Sequence, residues 1–143
     1  MKKIFVLLTG MLFITPAFGM TQATQTTKYV NQRGSVLILT KDKAGANSGT
    51  LTGTFTTAVA SKDCQKVIGQ PMPISGFYSG NAITLSVNFP LCNAVVAIIG
   101  NITNNNTIDT LWLNAQQADN PNEEDWNSRT TGHDLFHKVA ENN

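Results

Sequence analysis

Along most of this chain apolar and polar residues alternate with a period of two, the mark of strands that bury one face and show the other to water. Ile83-Thr84-Leu85-Ser86-Val87-Asn88-Phe89 is the plainest case, with apolar side chains at odd positions, polar ones at even positions and Pro90 ending the run. The segment from Gly49 to Val59 repeats it: Leu51, Phe55 and Val59 share one face, and Thr50, Thr52, Thr54 and Thr56 the other. Such β-branched runs favour extended backbone over helix. The pattern predicts eight strands, at about 27–32, 35–41, 50–59, 72–78, 82–89, 94–101, 107–113 and 132–139. Turn residues separate them at Gly34, Ala44-Gly45-Ala46-Asn47, Ser79-Gly80-Asn81 and Asn104-Asn105-Asn106, the spacing of successive hairpins. The expected fold is all-β: an eight-stranded antiparallel up-and-down β-barrel, which removes exposed sheet edges and leaves room for one small ligand.

Two places break the alternation. Ala94-Val95-Val96-Ala97-Ile98-Ile99 is apolar on both faces, and Leu111 and Leu113 lie on the face opposite Trp112. A barrel interior covers only one face of a strand, so the outer wall at the sixth and seventh strands is expected to pack against a second subunit, the alternative being cover by a loop. The last connection, 115–131, holds the turn Asp119-Asn120-Pro121, the acidic run Glu123-Glu124-Asp125 and Trp126. Acidic runs are commonly solvated loop, whereas a large aromatic in a polar loop points to an interface or a binding site.

Composition narrows the class. With 143 residues, 41% hydrophobic and 13% charged, the chain is one globular domain rather than a disordered, collagen-like or coiled-coil protein. Its 10 basic and 9 acidic residues give a net charge of +1 without any basic cluster, which leaves nucleic acid no electrostatic footprint. The start is different: Met1-Lys2-Lys3, an apolar run from Ile4 to Ile14 and the small residues around Pro16-Ala17-Phe18-Gly19 read as a secretory signal peptide over 1–19, ahead of a barrel domain over 20–143. The apolar run is too short for a spanning helix, which needs about 20 residues. The mature protein is thus expected to be secreted, to an extracellular or periplasmic location. Removal of Lys2 and Lys3 would shift the net charge from +1 to about −1.

Export bears on Cys64 and Cys92, the only cysteines, because an oxidising compartment lets a pair close into a disulfide. Two cysteines do not make a zinc site, and His133 and His137 lie far in sequence from a matching Cys pair, so neither metal nor cofactor is expected. The chain has no G-x-S-x-G, H-E-x-x-H, P-loop or dinucleotide fingerprint. Asp134 and His133, adjacent on a strand, point to opposite faces and do not form a hydrolytic pair. What remains on the interior faces is a set of polar groups, Asn31, Ser35, Thr57 and Asp134, beside Trp112. That is how a small-molecule pocket is lined, and no catalysis is expected of it.

Four segments carry a resemblance: Asn31-Gln32-Arg33-Gly34-Ser35; the run from Gly49 through Gly53 and Thr57 to Val59; Thr110-Leu111-Trp112-Leu113; and Trp126 followed by Asp134 in Thr131-Gly132-His133-Asp134-Leu135-Phe136. In order and spacing they resemble the avidin and streptavidin family over about residues 29 to 139. Cys64 and Cys92 lie in the connections where the dimeric, disulfide-containing avidins similar to rhizavidin carry theirs. The resemblance implies biotin as ligand, held at the open end of the barrel. Asn31 and Ser35 would donate to its ureido oxygen, and Asp134 and Thr57 would each accept a ureido N–H. Trp112 would wall the pocket and Val59 would lie at its loop. Trp126 matches a Trp that closes the site from a neighbouring subunit in tetrameric members. The cysteines thus point to a homodimer and Trp126 to a homotetramer.

Several residues depart from the family pattern. Phe55 stands where the family has a Tyr that donates to the ureido oxygen. Phe89 and Ile98 stand where Trp residues wall the ligand. Ala94 replaces a Ser near the carboxylate, Val96 a Thr near the ring sulfur, and Asn114 an apolar wall residue. At about 1 kcal/mol per lost hydrogen bond and as much or more per lost aromatic wall, these changes imply a loss of roughly 5 to 10 kcal/mol, or about four to seven decades of affinity. The sequence therefore predicts a non-catalytic, biotin-binding or biotinyl-binding protein of weakened affinity. The alternatives are the same barrel retargeted to another ligand with a urea- or amide-like head, and a secreted interaction module with a vestigial pocket.

Overall fold

The computed structural model describes residues 24–43, 45, 47–103, 106–118 and 128–140. Its strands are β1 (Gln25–Asn31), β2 (Val36–Lys43), β3 (Ser48–Thr56), β4 (Pro71–Ser79), β5 (Ala82–Phe89), β6 (Ala94–Ile102), β7 (Thr107–Gln116) and β8 (Arg129–Lys138). Each pairs antiparallel with the next, and β8 pairs back onto β1, so the sheet closes into a barrel in sequence order. All eight expected strands are present. Expected features on the signal segment 1–19, on Ala44, Ala46, Asn104 and Asn105, and on 119–127 with Trp126 lie outside the described residues.

The strand ends differ from expectation for local reasons. β1 stops at Asn31 rather than Gln32 because the Asn31 Oδ1 accepts the backbone N–H groups of Arg33 at 3.0 Å and Ser35 at 2.8 Å, folding the chain into a turn. β3 stops at Thr56 rather than Val59. Beyond it the Thr57 hydroxyl donates to the Val59 carbonyl at 2.6 Å and accepts the Val59 N–H at 3.2 Å, and this side-chain turn replaces the ladder. β7 and β8 run further than hydropathy indicates, because their last pairs hold residues outside the apolar pattern, Asn114 with Thr130 and Ala115 with Arg129. A 3-10 helix at Lys62–Val67, which the period-two pattern does not reveal, follows β3 and buries Val67.

Antiparallel order in sequence sends the connections alternately to the two ends. Those after β1, β3, β5 and β7 share one end, and those after β2, β4 and β6 the other. Toward the latter the interior is filled by Tyr29, Leu39, Leu51, Tyr78, Ile83 and their neighbours, with Lys41 Nζ lying over the Tyr78 ring at 4.4 Å. Burial raises the pKa of the Tyr29 phenol, partly offset by a hydrogen bond with Thr27. Gly53, at φ +148, lies against β2, and a Cβ there would fall 1.9 Å from the Ile38 carbonyl oxygen.

The cysteines form a disulfide, Cys64–Cys92, that ties the 3-10 helix to the β5–β6 connection at the first end. On the outer wall Val95, Ile99, Leu111 and Leu113 are each at least half exposed in the single chain. Ile99 lies opposite Leu111, and Ala97 opposite Leu113.

Two outcomes follow for stability. Gly53→Ala forces β2 and β3 apart and lowers unfolding free energy by about 2 kcal/mol or more in urea titration; an unchanged midpoint would remove close strand approach as the reason for this glycine. Peptide mapping without reductant recovers Cys64 linked to Cys92, and reduction lowers stability by roughly 3 to 4 kcal/mol, the chain-entropy value for a loop of this length.

Candidate functional site

At the end carrying the β1–β2, β3–β4, β5–β6 and β7–β8 connections the barrel interior is open, a cavity of about 520 Å³. Its floor is aromatic. Phe55 meets Phe89 edge-on at 6.3 Å between centroids and Phe136 at 6.4 Å, an arrangement that aligns ring edges with ring faces. Val96, Ile98, Ala94 and Trp112 continue the apolar wall along β6 and β7. The indole lies against Gly132, its cross-strand partner, where a Cβ would fall 2.2 Å from the ring. Glycine is thus required there for Trp112 to face the cavity. The Trp112 Nε1 is buried with no hydrogen-bond partner among the described residues, a donor that a site can hold open for a ligand.

The polar lining falls into two groups. One, Asn114, Gln116, Ser128 and Thr130, stands on the outer turns of β7 and β8, with the Asn114 Nδ2 3.5 Å from the Thr130 hydroxyl. The other lies deeper, with Ser35, Thr57 and Asp134 buried where β1 ends against β8 and Arg33 partly exposed beside them in the β1–β2 turn. The polarity of this deeper group can be followed atom by atom. The Ser35 Oγ accepts the Ala58 N–H at 3.0 Å, so its own proton is available to a ligand. The Thr57 proton is engaged by the Val59 carbonyl and one lone pair by the Val59 N–H, which leaves the Thr57 oxygen one lone pair to accept with. Asp134 is a buried carboxylate whose Oδ1 accepts the Gln32 Nε2 at 3.0 Å and lies 3.6 Å from the Arg33 Nε.

Gln32 holds this corner together. Beyond Asn31, where β1 leaves the ladder, its Oε1 accepts the Leu135 N–H at 3.0 Å, and its Nε2 also approaches the His133 carbonyl at 3.4 Å. One carboxamide thereby extends the β1–β8 seam and fixes the Asp134 rotamer. The Thr110 hydroxyl donates to the Asp134 carbonyl from β7 at 2.9 Å.

Of the residues singled out in the sequence, Ser35, Phe55, Thr57, Val59, Phe89, Trp112 and Asp134 line this one cavity. So do Ala94, Val96, Ile98 and Asn114, the positions that depart from the family pattern. Asn31 is buried beside this group; its Oδ1 caps the β1–β2 turn, which leaves its Nδ2 as a donor. Trp126 lies outside the described residues. Periodicity missed Arg33, which stands in a turn between two interior polar positions, and Gln116, Ser128 and Thr130, which follow the last apolar residue of β7 or precede that of β8. His133, opposite in face to Asp134, is exposed on the outer wall and pairs with Asp109 at 2.6 Å. Among the described residues no group of three or more His, Cys, Asp or Glu is placed to hold a metal ion.

Comparison with known proteins gives the arrangement its context. The structure matches core-bradavidin with a TM-score of 0.66 and 28% identity, covering 80% of this chain and 100% of that one. It matches a bradavidin2–biotin complex with a TM-score of 0.59 and 25% identity, covering 80% and 96%. Rhizavidin, at TM-score 0.65 and 24% identity over 85% and 87%, shares the fold. No curated protein matches the chain in sequence. The model of the Avidin family matches residues 20–139, nearly the whole chain, and the protein is therefore a member of the Avidin family.

Proposed function

We propose that the mature protein is a secreted, non-catalytic binder of biotin or a biotin-bearing molecule, with lower affinity than a site that keeps the family's full donor set and Trp walls. The observation that carries this reading is the polarity at the deep end of the cavity: two acceptors, Asp134 and Thr57, beside a donor, Ser35. A cyclic urea presents two N–H donors flanking one carbonyl oxygen, and this set is its complement. Strand ends and side-chain turns hold the groups in place before a ligand arrives, so little ordering entropy is lost on binding. Asn31 holds Ser35 in place through its Oδ1 and donates from its Nδ2 to the same ureido oxygen. Phe55, Phe89, Val59 and Trp112 supply apolar contact to the ring and chain.

At the outer turns the lining is neutral, with Ala94 on one side and Asn114, Gln116, Ser128 and Thr130 on the other. A free carboxylate on the ligand tail therefore gains little over an amide. Trp126 is assigned as an aromatic that closes the mouth from a neighbouring subunit. The exposed apolar stripe of Val95, Ile99, Leu111 and Leu113 serves as the subunit contact, since a patch of this kind facing water favours association with a second copy.

Calorimetric titration tests the function. Biotin and a biotin amide bind one per chain, with affinities within about tenfold of each other. Asp134→Ala weakens both by about 1 to 3 kcal/mol, because a buried ligand N–H loses its acceptor. Absence of heat with either ligand would contradict the reading, and an unaltered affinity in Asp134→Ala would move the site elsewhere. Light scattering tests the contact: Leu111→Lys lowers the mass from that of an oligomer to that of one chain, whereas an unchanged mass would place the subunit contact on another face.

A further inference from the structure

The deep end of the cavity holds one buried carboxylate and only neutral donors beside it. Asp134 accepts, Thr57 has its proton engaged by Val59, Phe55 has no polar atom, and the donors are the Ser35 hydroxyl, the Trp112 Nε1 and the Asn31 Nδ2. Arg33 changes that balance. It lines the same cavity, its side chain is 42% exposed, and the only charged partner it has among the described residues is Asp134, with Nε at 3.6 Å from Oδ1. That separation is too long for a strong hydrogen bond. The Asp134 Oδ1 already accepts a shorter bond from Gln32. Charge attraction therefore holds the guanidinium beside the carboxylate while its planar fork of N–H groups remains available to a ligand.

We propose that Arg33 is a specificity-determining residue that donates to the oxygen of the ligand head group, so that Arg33 and Asp134 together read a neighbouring oxygen acceptor and N–H donor. The ligand class is a cyclic urea, lactam or primary carboxamide. A bare carboxylate head is disfavoured by Asp134 and a bare ammonium head by Arg33, because the pair presents both charges side by side. The proposal rests on the biotin reading above and deepens it: Arg33 takes the place of a hydroxyl donor that Phe55 does not supply.

A double-mutant cycle between Arg33 and Phe55 tests this, read by titration with biotin and with 2-imidazolidone, the bare cyclic urea. Arg33→Leu weakens biotin binding about tenfold or more, and Arg33→Lys weakens it less, since a point charge replaces the fork. Phe55→Tyr, which adds a hydroxyl at the cavity floor, improves binding more in the Arg33→Leu background than in the wild type, because two donors to one oxygen are not additive. Circular dichroism confirms the barrel in each variant, and Arg33→Lys alone carries the comparison where Arg33→Leu does not fold. Equal or tighter binding by Arg33→Leu would overturn the proposal and make Arg33 a competitor for Asp134. Failure of the wild type to bind either ligand would overturn the biotin reading and this inference with it.

Discussion

The barrel closes on a short seam. β1 and β8 share three paired positions, Tyr29 with Lys138, Val30 with His137 and Asn31 with Phe136, whereas β7 and β8 pair over nine positions from Thr107 to Ala115. At Asn31 the first strand turns away, and β8 continues toward the open end paired with β7 alone. This mismatch leaves a notch in the wall, and the deep polar groups of the cavity are gathered around it. Gln32 bridges the notch with its side chain, Asp134 projects into the cavity beside it, and Arg33 and Ser35 enter from the turn that the Asn31 side chain folds. Closure of the barrel and the polarity of the cavity therefore depend on the same few hydrogen bonds.

The cavity has a polarity that follows from those bonds. Each polar group that lines its deep end has part of its hydrogen-bonding capacity engaged by the protein, and what is left over differs from group to group. Thr57 keeps an acceptor because Val59 takes its proton; Ser35 keeps a donor because Ala58 takes a lone pair. A site with a fixed order of donors and acceptors discriminates by leaving groups unpaired when the wrong ligand enters, at a cost of about 1 to 3 kcal/mol per group. The aromatic floor of Phe55, Phe89 and Phe136 does not depend on ligand orientation and contributes contact rather than selection. Across the rim, the Cys64–Cys92 bridge joins two connections that both line the cavity and limits how far the rim can spread.

Much of this was legible in the sequence. Alternation located all eight strands because each buries one face, and it located the exposed apolar stripe because Val95, Ile99, Leu111 and Leu113 violate the same rule. The interior polar residues Ser35, Thr57 and Asp134 stood out as polar groups at inward positions. Strand ends were less legible, since Asn31 and Thr57 terminate β1 and β3 through side-chain bonds that compete with the ladder and leave no trace in hydropathy. The role of Gln32 was hidden because its partners on β8 are about a hundred positions away. Arg33 was hidden because an arginine in a turn ordinarily reads as solvated surface, and only the closure of β8 onto β1 brings it to Asp134.

The central claim is that the notch at the β1–β8 seam reads a urea-like head. A crystal structure of the mature protein with biotin at saturating concentration tests it most directly. The account predicts the ureido ring at the deep end, its two N–H groups on Asp134 and Thr57 and its oxygen toward Ser35 and Arg33. Biotin bound with its ring at the outer turns beside Asn114 and Thr130, or an empty cavity, would contradict it.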